Sequence, residues 1–391
     1  MKKIIFLLLF CKITVSQIIN TVENKDSLIL FYKKVINSIN DQTQILGLGE
    51  QYHGDGKTFT IKSDLIQALS KEKNAVFLSE SSAFDCLKGQ EIGLINDTLN
   101  MGLAKLWSSS LENLPLLQFL QKKEIEYAGF DCLIYGIYSK YYLTDYLQTV
   151  IGSKKILEVS ELEFLKNLAK DIATERFKYI FLEKNYNESK RLFSIIDANI
   201  NNFTKEEYYV LLNFKNLCNV VKTYSNNENN FSIMNRNRDS LMAENCIYLI
   251  EKVYKDRFIV MSAASFHLIK NHQKDYPSSD KNIKTMGDFL NEKYKEKYTV
   301  MIFTSAKGEH ALYNDSVVEK VPKPKQGSIE EHLLNKNVDY AFINLHSTPY
   351  SYKYCMPDGY EYLKMPNPLI HFDYIFYVKE MQRAHARFNT K

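Results

Sequence analysis

The chain has little that would brace it covalently or hold a metal through thiolates. Its 391 residues include six cysteines, and no two form a Cys-x-x-Cys pair. Neither a zinc–cysteine site nor a dense disulfide framework is supported. Glycine (14) and proline (8) are sparse, which excludes collagen-like and low-complexity chains. The formal charge is only +4, so no global basic field points to nucleic acid. Repeats and heptads are lacking. So are the Gly-x-Ser-x-Gly elbow of a serine hydrolase and the His-Glu-x-x-His of a zinc protease. No apolar run is long enough to span a bilayer as a helix.

What is present suits a large globular core. Hydrophobic residues make up 45% of the chain, enough for one or two domains. Met1 to Ser16 reads as a secretory signal: Lys2 and Lys3, then apolar Ile4 to Phe10, then Thr14-Val15-Ser16 as the cleavage site. The expectation is an exported chain, periplasmic or secreted, not stably inserted in the membrane once the signal is cleaved. Cleavage would remove three lysines and bring the charge to about +1, from 47 basic and 46 acidic residues. The odd set Cys86, Cys132, Cys218, Cys246 and Cys355 would remain, with room for one unassigned bridge.

Seven apolar runs read as strands: Ile45–Leu48, Ala75–Leu78, Tyr127–Ala128, Phe258–Met261, Tyr298–Phe303, Ala341–Leu345 and Tyr374–Val378. Helical patterns long enough for crossovers separate most of them. The expected fold is α/β: a mostly parallel central sheet flanked by helices. Residues 139–254 have no convincing strand and read as a helical insertion lobe within one domain, 17–391. Oligomeric state is not legible.

Ile45-Leu-Gly-Leu-Gly-Glu50-Gln-Tyr-His53-Gly54 ends the first strand with an acid and an imidazole three residues apart. Ligands of open α/β sheets bind beyond the carboxyl ends of strands. Glu80 closes the second strand, Asp131 follows the third and His267 the fourth, so parallel strands would gather all five at one edge. Histidine takes a proton from water near neutral pH, and a carboxylate steadies the imidazolium. Two histidines and two glutamates also suit a metal. Asp131 is as readily a helix cap, His267 alone a core histidine, and Trp107 core or pocket wall. Arg238 and Asn245 share a helix face that reads equally as a solvated surface. The other six histidines lack motif context.

In its blocks the chain resembles the erythromycin esterase family. They are Gly49-Glu50-Gln-Tyr-His53-Gly54 with Lys62, then Phe77-Leu-Ser-Glu80, then Trp107 with Gly129-Phe130-Asp131. Arg238-Asp-Ser-Leu-Met-Ala-Glu-Asn245, the strand ending at His267, and Met286-Gly287-Asp-Phe-Leu290 complete them. The resemblance runs from about Gln44 to Val378. It implies hydrolysis of an ester or macrolactone, without a cofactor. His53 would be the general base, Glu50 and Glu80 the active-site acids and His267 an assisting group. Lys62, Trp107, Asp131 and Arg238 would be substrate-binding. Wider relatives, resembling Tiki/TraB and ChaN proteins, imply the alternative of one divalent metal on His53, His267, Glu50 and Glu80. Three positions depart from the family pattern. Ala264 replaces the first histidine of His-Asn-x-His, Lys57 a glutamate, and Lys62 an arginine. A related ester, or a small-molecule-binding homologue impaired in catalysis, is therefore also expected.

Overall fold

The structure, a computed structural model, describes residues 25–95, 98–134, 136–173, 183–226, 231–272, 276, 283–312, 314–315, 317–347 and 350–387. The signal-like stretch and residues 227–230 of the expected helical lobe lie outside them.

All seven runs enter one sheet. Its strands are β1 (Ile45–Glu50), β2 (Ala75–Ser82), β3 (Tyr127–Asp131), β4 (Phe258–Ala264), β5 (Tyr298–His310), β6 (Glu319–Lys320), β7 (Tyr340–Asn344) and β8 (Tyr374–Met381). The spatial order is β3-β2-β4-β1-β5-β8-β7, with β6 paired to β5. The six from β3 to β8 in this order run parallel. Only β7 and the short β6 are antiparallel. Successive apolar residues serve opposite faces, as a pleated strand requires. On β4, Ile259 and Met261 enter one core and Val260 the other. Being covered on both faces explains why the strands read as continuous apolar runs.

The helix Gly56–Lys73 buries Leu65, Ile66 and Leu69 and ends at Asn74, left-handed at φ 50. Between β3 and β4 come the helices Ile137–Gly152, Val159–Ala173, Glu183–Ala198 and Lys205–Asn226. They enclose a core of their own around Leu147, Leu165, Phe193 and Phe214. Phe84, from the helix Ala83–Ile92, also enters that core, so the lobe is packed onto the sheet layer. The helix Phe231–Tyr248 brings the chain back, with Met242 and Cys246 in the sheet's own core. The five described cysteines are free and buried. No helix among the described residues is long and apolar enough to cross a membrane.

Candidate active site

The carboxyl ends of β1 to β4 carry the candidate residues. Glu50 is the last residue of β1 and Asp131 the last of β3. His267 follows β4 in the short helical turn Ser265–Leu268. β2 runs two residues past Glu80, and its pairing with β3 slips between Ser79 and Ser82. Glu80 therefore lies in a β-bulge, which re-aims its side chain. Gly129 permits the slip: a Cβ there would stand 2.2 Å from the Ser81 carbonyl.

One half of the site is built on β1. The Glu50 carboxylate is fully buried. Its Oε1 accepts from His53 Nδ1 at 3.0 Å and Trp107 Nε1 at 3.0 Å. Its Oε2 accepts from Lys62 Nζ. Lys62 also donates to Ser262 Oγ (3.1 Å) and the Ala263 carbonyl (3.2 Å). With Nδ1 donating to Glu50, the Nε2 of His53 keeps its lone pair for water. The ring stands edge-on to Trp107, centroids 5.4 Å apart.

The other half is assembled by one helix. Arg238 grips Asp131 with two bonds, Nε–Oδ1 at 3.1 Å and Nη2–Oδ2 at 2.8 Å. The same Nη2 reaches Glu80 Oε1 at 2.9 Å, and Nη1 lies 3.2 Å from His267 Nε2. Its neighbour Asp239 accepts from His267 Nδ1 at 2.9 Å. The backbone N–H of Ala264 donates to Glu80 Oε2 at 3.1 Å.

Charge governs protonation here. Glu50, Glu80, Asp131 and Asp239 are acids, and Lys62 and Arg238 are the fixed cations. Two protonated histidines would balance the set. Burial opposes the charged imidazole of His53, yet the Glu50 hydrogen bond and the charges of Glu80 and Glu50 prevail and raise its pKa. Burial opposes that of His267 too, yet Asp239 and Glu80 raise it. Burial works against the Glu80 carboxylate, but His267, Arg238 and His53 bring it down to about 2. The Glu50 carboxyl is lowered against its burial, chiefly by Lys62. Burial lowers Lys62 itself.

A cavity of about 1110 Å³ opens over this cluster, with His53, Glu80, Trp107, Asp131, Arg238 and His267 on its wall. Lys62 departs from its expected substrate-binding place. It is 3% exposed, bonded to the buried Glu50, and neither side chain is on the cavity wall. Trp107 is both core and wall. Arg238 is turned into the site, not onto a solvated face, while Asn245 holds the Phe130 carbonyl at 3.0 Å and is structural. Among the described residues no three His, Cys, Asp or Glu side chains are arranged to hold a metal. Every oxygen of the two glutamates already accepts from a cation or an N–H donor, a donor set that suits buried ion pairs better than a metal.

Two carboxylates escaped the sequence reading. Asp239 carried a faint signal, being next to Arg238. Asp358 carried none. It comes from the loop before Leu363–Lys364, and burial raises its pKa to about 6 against the opposing charge of His267.

A family model described as erythromycin esterase matches residues 104–388, nearly three quarters of the chain. The matched part holds Trp107, Asp131, Arg238 and His267 but not β1 and β2. No curated protein matches the chain. Among solved structures, a succinoglycan biosynthesis protein is similar, at 16% identity and TM-score 0.71, covering 95% of each chain. A Bacillus cereus protein is 16% identical with TM-score 0.72, over 92% of this chain and 94% of that one. An erythromycin esterase mutant in its open conformation is 16% identical with TM-score 0.65, over 90% and 94%.

Proposed function

We propose that this chain, which belongs to the erythromycin esterase family, hydrolyses a carboxylic ester or lactone with water activated by His53. The observation that carries this reading is the His53 ring. Its Nδ1 is held by a buried carboxylate and the ring borders a large cavity. Water in that cavity gives a proton to Nε2 and adds its oxygen to the ester carbonyl. Glu50 steadies the imidazolium, and its bonds to His53, Trp107 and Lys62 hold it as the carboxylate. On the same cavity wall, Arg238 and His267 carry the positive charge that meets the developing oxyanion. Collapse returns the proton to the leaving alcohol, so ester and water yield acid and alcohol.

The test is mass-spectrometric: macrolides, simple lactones and simple esters are incubated with the purified protein and with His53→Ala. A product one water heavier for lactones, or an acid and alcohol pair for esters, is expected from the unmodified protein. The variant should be slower by about 10²–10⁴-fold, the usual weight of a positioned general base. Equal turnover by the two would overturn the mechanism. Ligand binding without turnover would favour a binding role on the same fold.

A further inference from the structure

We propose that the substrate of this site carries an anionic group beside its ester, received by Lys105 and Lys140; this rests on the hydrolase reading. The two lysines come from separate elements, the helical turn Lys105–Ser108 and the helix Ile137–Gly152. Both line the same cavity as His53 and His267, and both are exposed. No ion pair to a described carboxylate engages either. Lys140 lies over the Tyr141 ring, 5.7 Å from its centroid.

The acids of the cavity wall do not offset them. Glu80 and Asp131 are committed to Arg238. Asp85, the third, accepts from the Ser139 N–H at 3.0 Å and from the Ser139 hydroxyl. It thereby closes the start of the helix Ile137–Gly152, and burial pushes its carboxyl up toward the neutral form. Nearby Asp315 accepts from the Leu312 N–H at 2.9 Å. Glu80, Asp85 and Asp131 are buried, whereas Lys105 and Lys140 are the exposed charges among the described residues of this wall, and low-dielectric walls focus their field on what enters.

Lys105 also lies two positions before Trp107, whose indole N–H shares Glu50 with His53. An anion at Lys105 is thus tied through one short turn to the proposed base. Leu103, Leu106, Leu133 and Ile137 supply apolar wall for the carbon skeleton between anion and ester. A carboxylate, sulfate or phosphate meets these lysines favourably. A protonated amine, such as the amino sugar of erythromycin, meets them with its own charge repelled.

The experiment compares monobenzyl succinate, benzyl butyrate and the benzyl ester of trimethylammoniobutyrate as substrates. N-benzylsuccinamic acid, an amide of the same shape, serves as a binding probe in calorimetry. The unmodified protein is expected to prefer the succinate ester in kcat/KM. Lys105→Glu/Lys140→Glu should cut its preference over the butyrate ester by roughly tenfold or more and weaken the probe in parallel, since charge reversal turns attraction into repulsion. Lys255→Glu, just ahead of β4 at the opposite edge of the sheet, should keep the preference. Equal use of succinate and butyrate esters, preference for the ammonium ester, or undiminished probe binding in the double variant would overturn the proposal. Probe binding that depends on the two lysines without cleavage of any ester would uphold the anion site and sink the hydrolase reading. Neither binding nor cleavage would sink both.

Discussion

Two histidines border one cavity at the ends of adjacent strands, and they are held differently. Among the described residues His53 has one hydrogen-bond anchor, Glu50, and nearly a third of its side chain is open to solvent. His267 is 7% exposed and is hemmed by Asp239, Arg238 and Glu80 within 3.4 Å. A proton acceptor must exchange with water, and the first arrangement allows it. A fixed charge must not move, and the second arrangement ensures that. The same side chain thus takes two parts, set by how many neighbours restrain it.

The largest effect on this contrast is expected from Glu50→Ala. It strands Lys62 as a buried cation, with the Ser262 hydroxyl and the Ala263 carbonyl as its remaining hydrogen-bond acceptors among the described residues. Breaking a buried pair from one side costs about 3–5 kcal/mol, read by urea denaturation. The chief support of the raised His53 pKa goes with it, so the NMR titration of His53 should move down toward the ordinary histidine range, while His267 keeps its own. Equal movement of both rings would show that the halves are not separate.

Arg238→Lys tests the other half. The charge remains but the two-bond grip on Asp131 is lost. A fall of roughly tenfold in kcat/KM is expected, the weight of one or two charged hydrogen bonds. An unchanged rate would mean that bare charge suffices.

The smallest effects are in pH. His53 acts as a base only when neutral, and its pKa is raised. The acid limb of kcat/KM should therefore lie above pH 6.5, the ordinary histidine value, with activity rising as pH rises through it. Stability runs the other way for this group. Its contribution is full below the unfolded histidine pKa and fades as pH rises through the raised one. Glu80, at about 2, contributes above the unfolded carboxylate range and loses that contribution as pH falls toward 2. Melting temperatures from pH 2 to 9 would read both limbs.

Much of the fold was legible because its signals are local. Apolar runs of strand length, separated by helix-period segments, announce a covered parallel sheet. The fifth strand was harder to bound, since it continues through polar residues to His310. His310 lies there between Tyr52 and Tyr360, at 4.8 and 4.2 Å, a stack no spacing announces. The antiparallel direction of β7 was equally hidden, because an apolar run carries no sign of direction.

What the sequence determined by itself was the set of strand ends and the acid or imidazole each one bears. Strand and crossover are written in neighbouring residues. Which ends meet, and what each side chain touches there, was decided by the tertiary structure. The order β3-β2-β4-β1 draws four distant segments to one edge. One helix then sets Arg238 and Asp239 around His267, and a turn 57 residues beyond Glu50 brings Trp107 to it. Lys62 was drawn to Glu50, off the cavity wall, because a buried carboxylate must be paired before it can be buried at all. That requirement is met by whichever cation the packed chain delivers, and spacing along the chain does not say which.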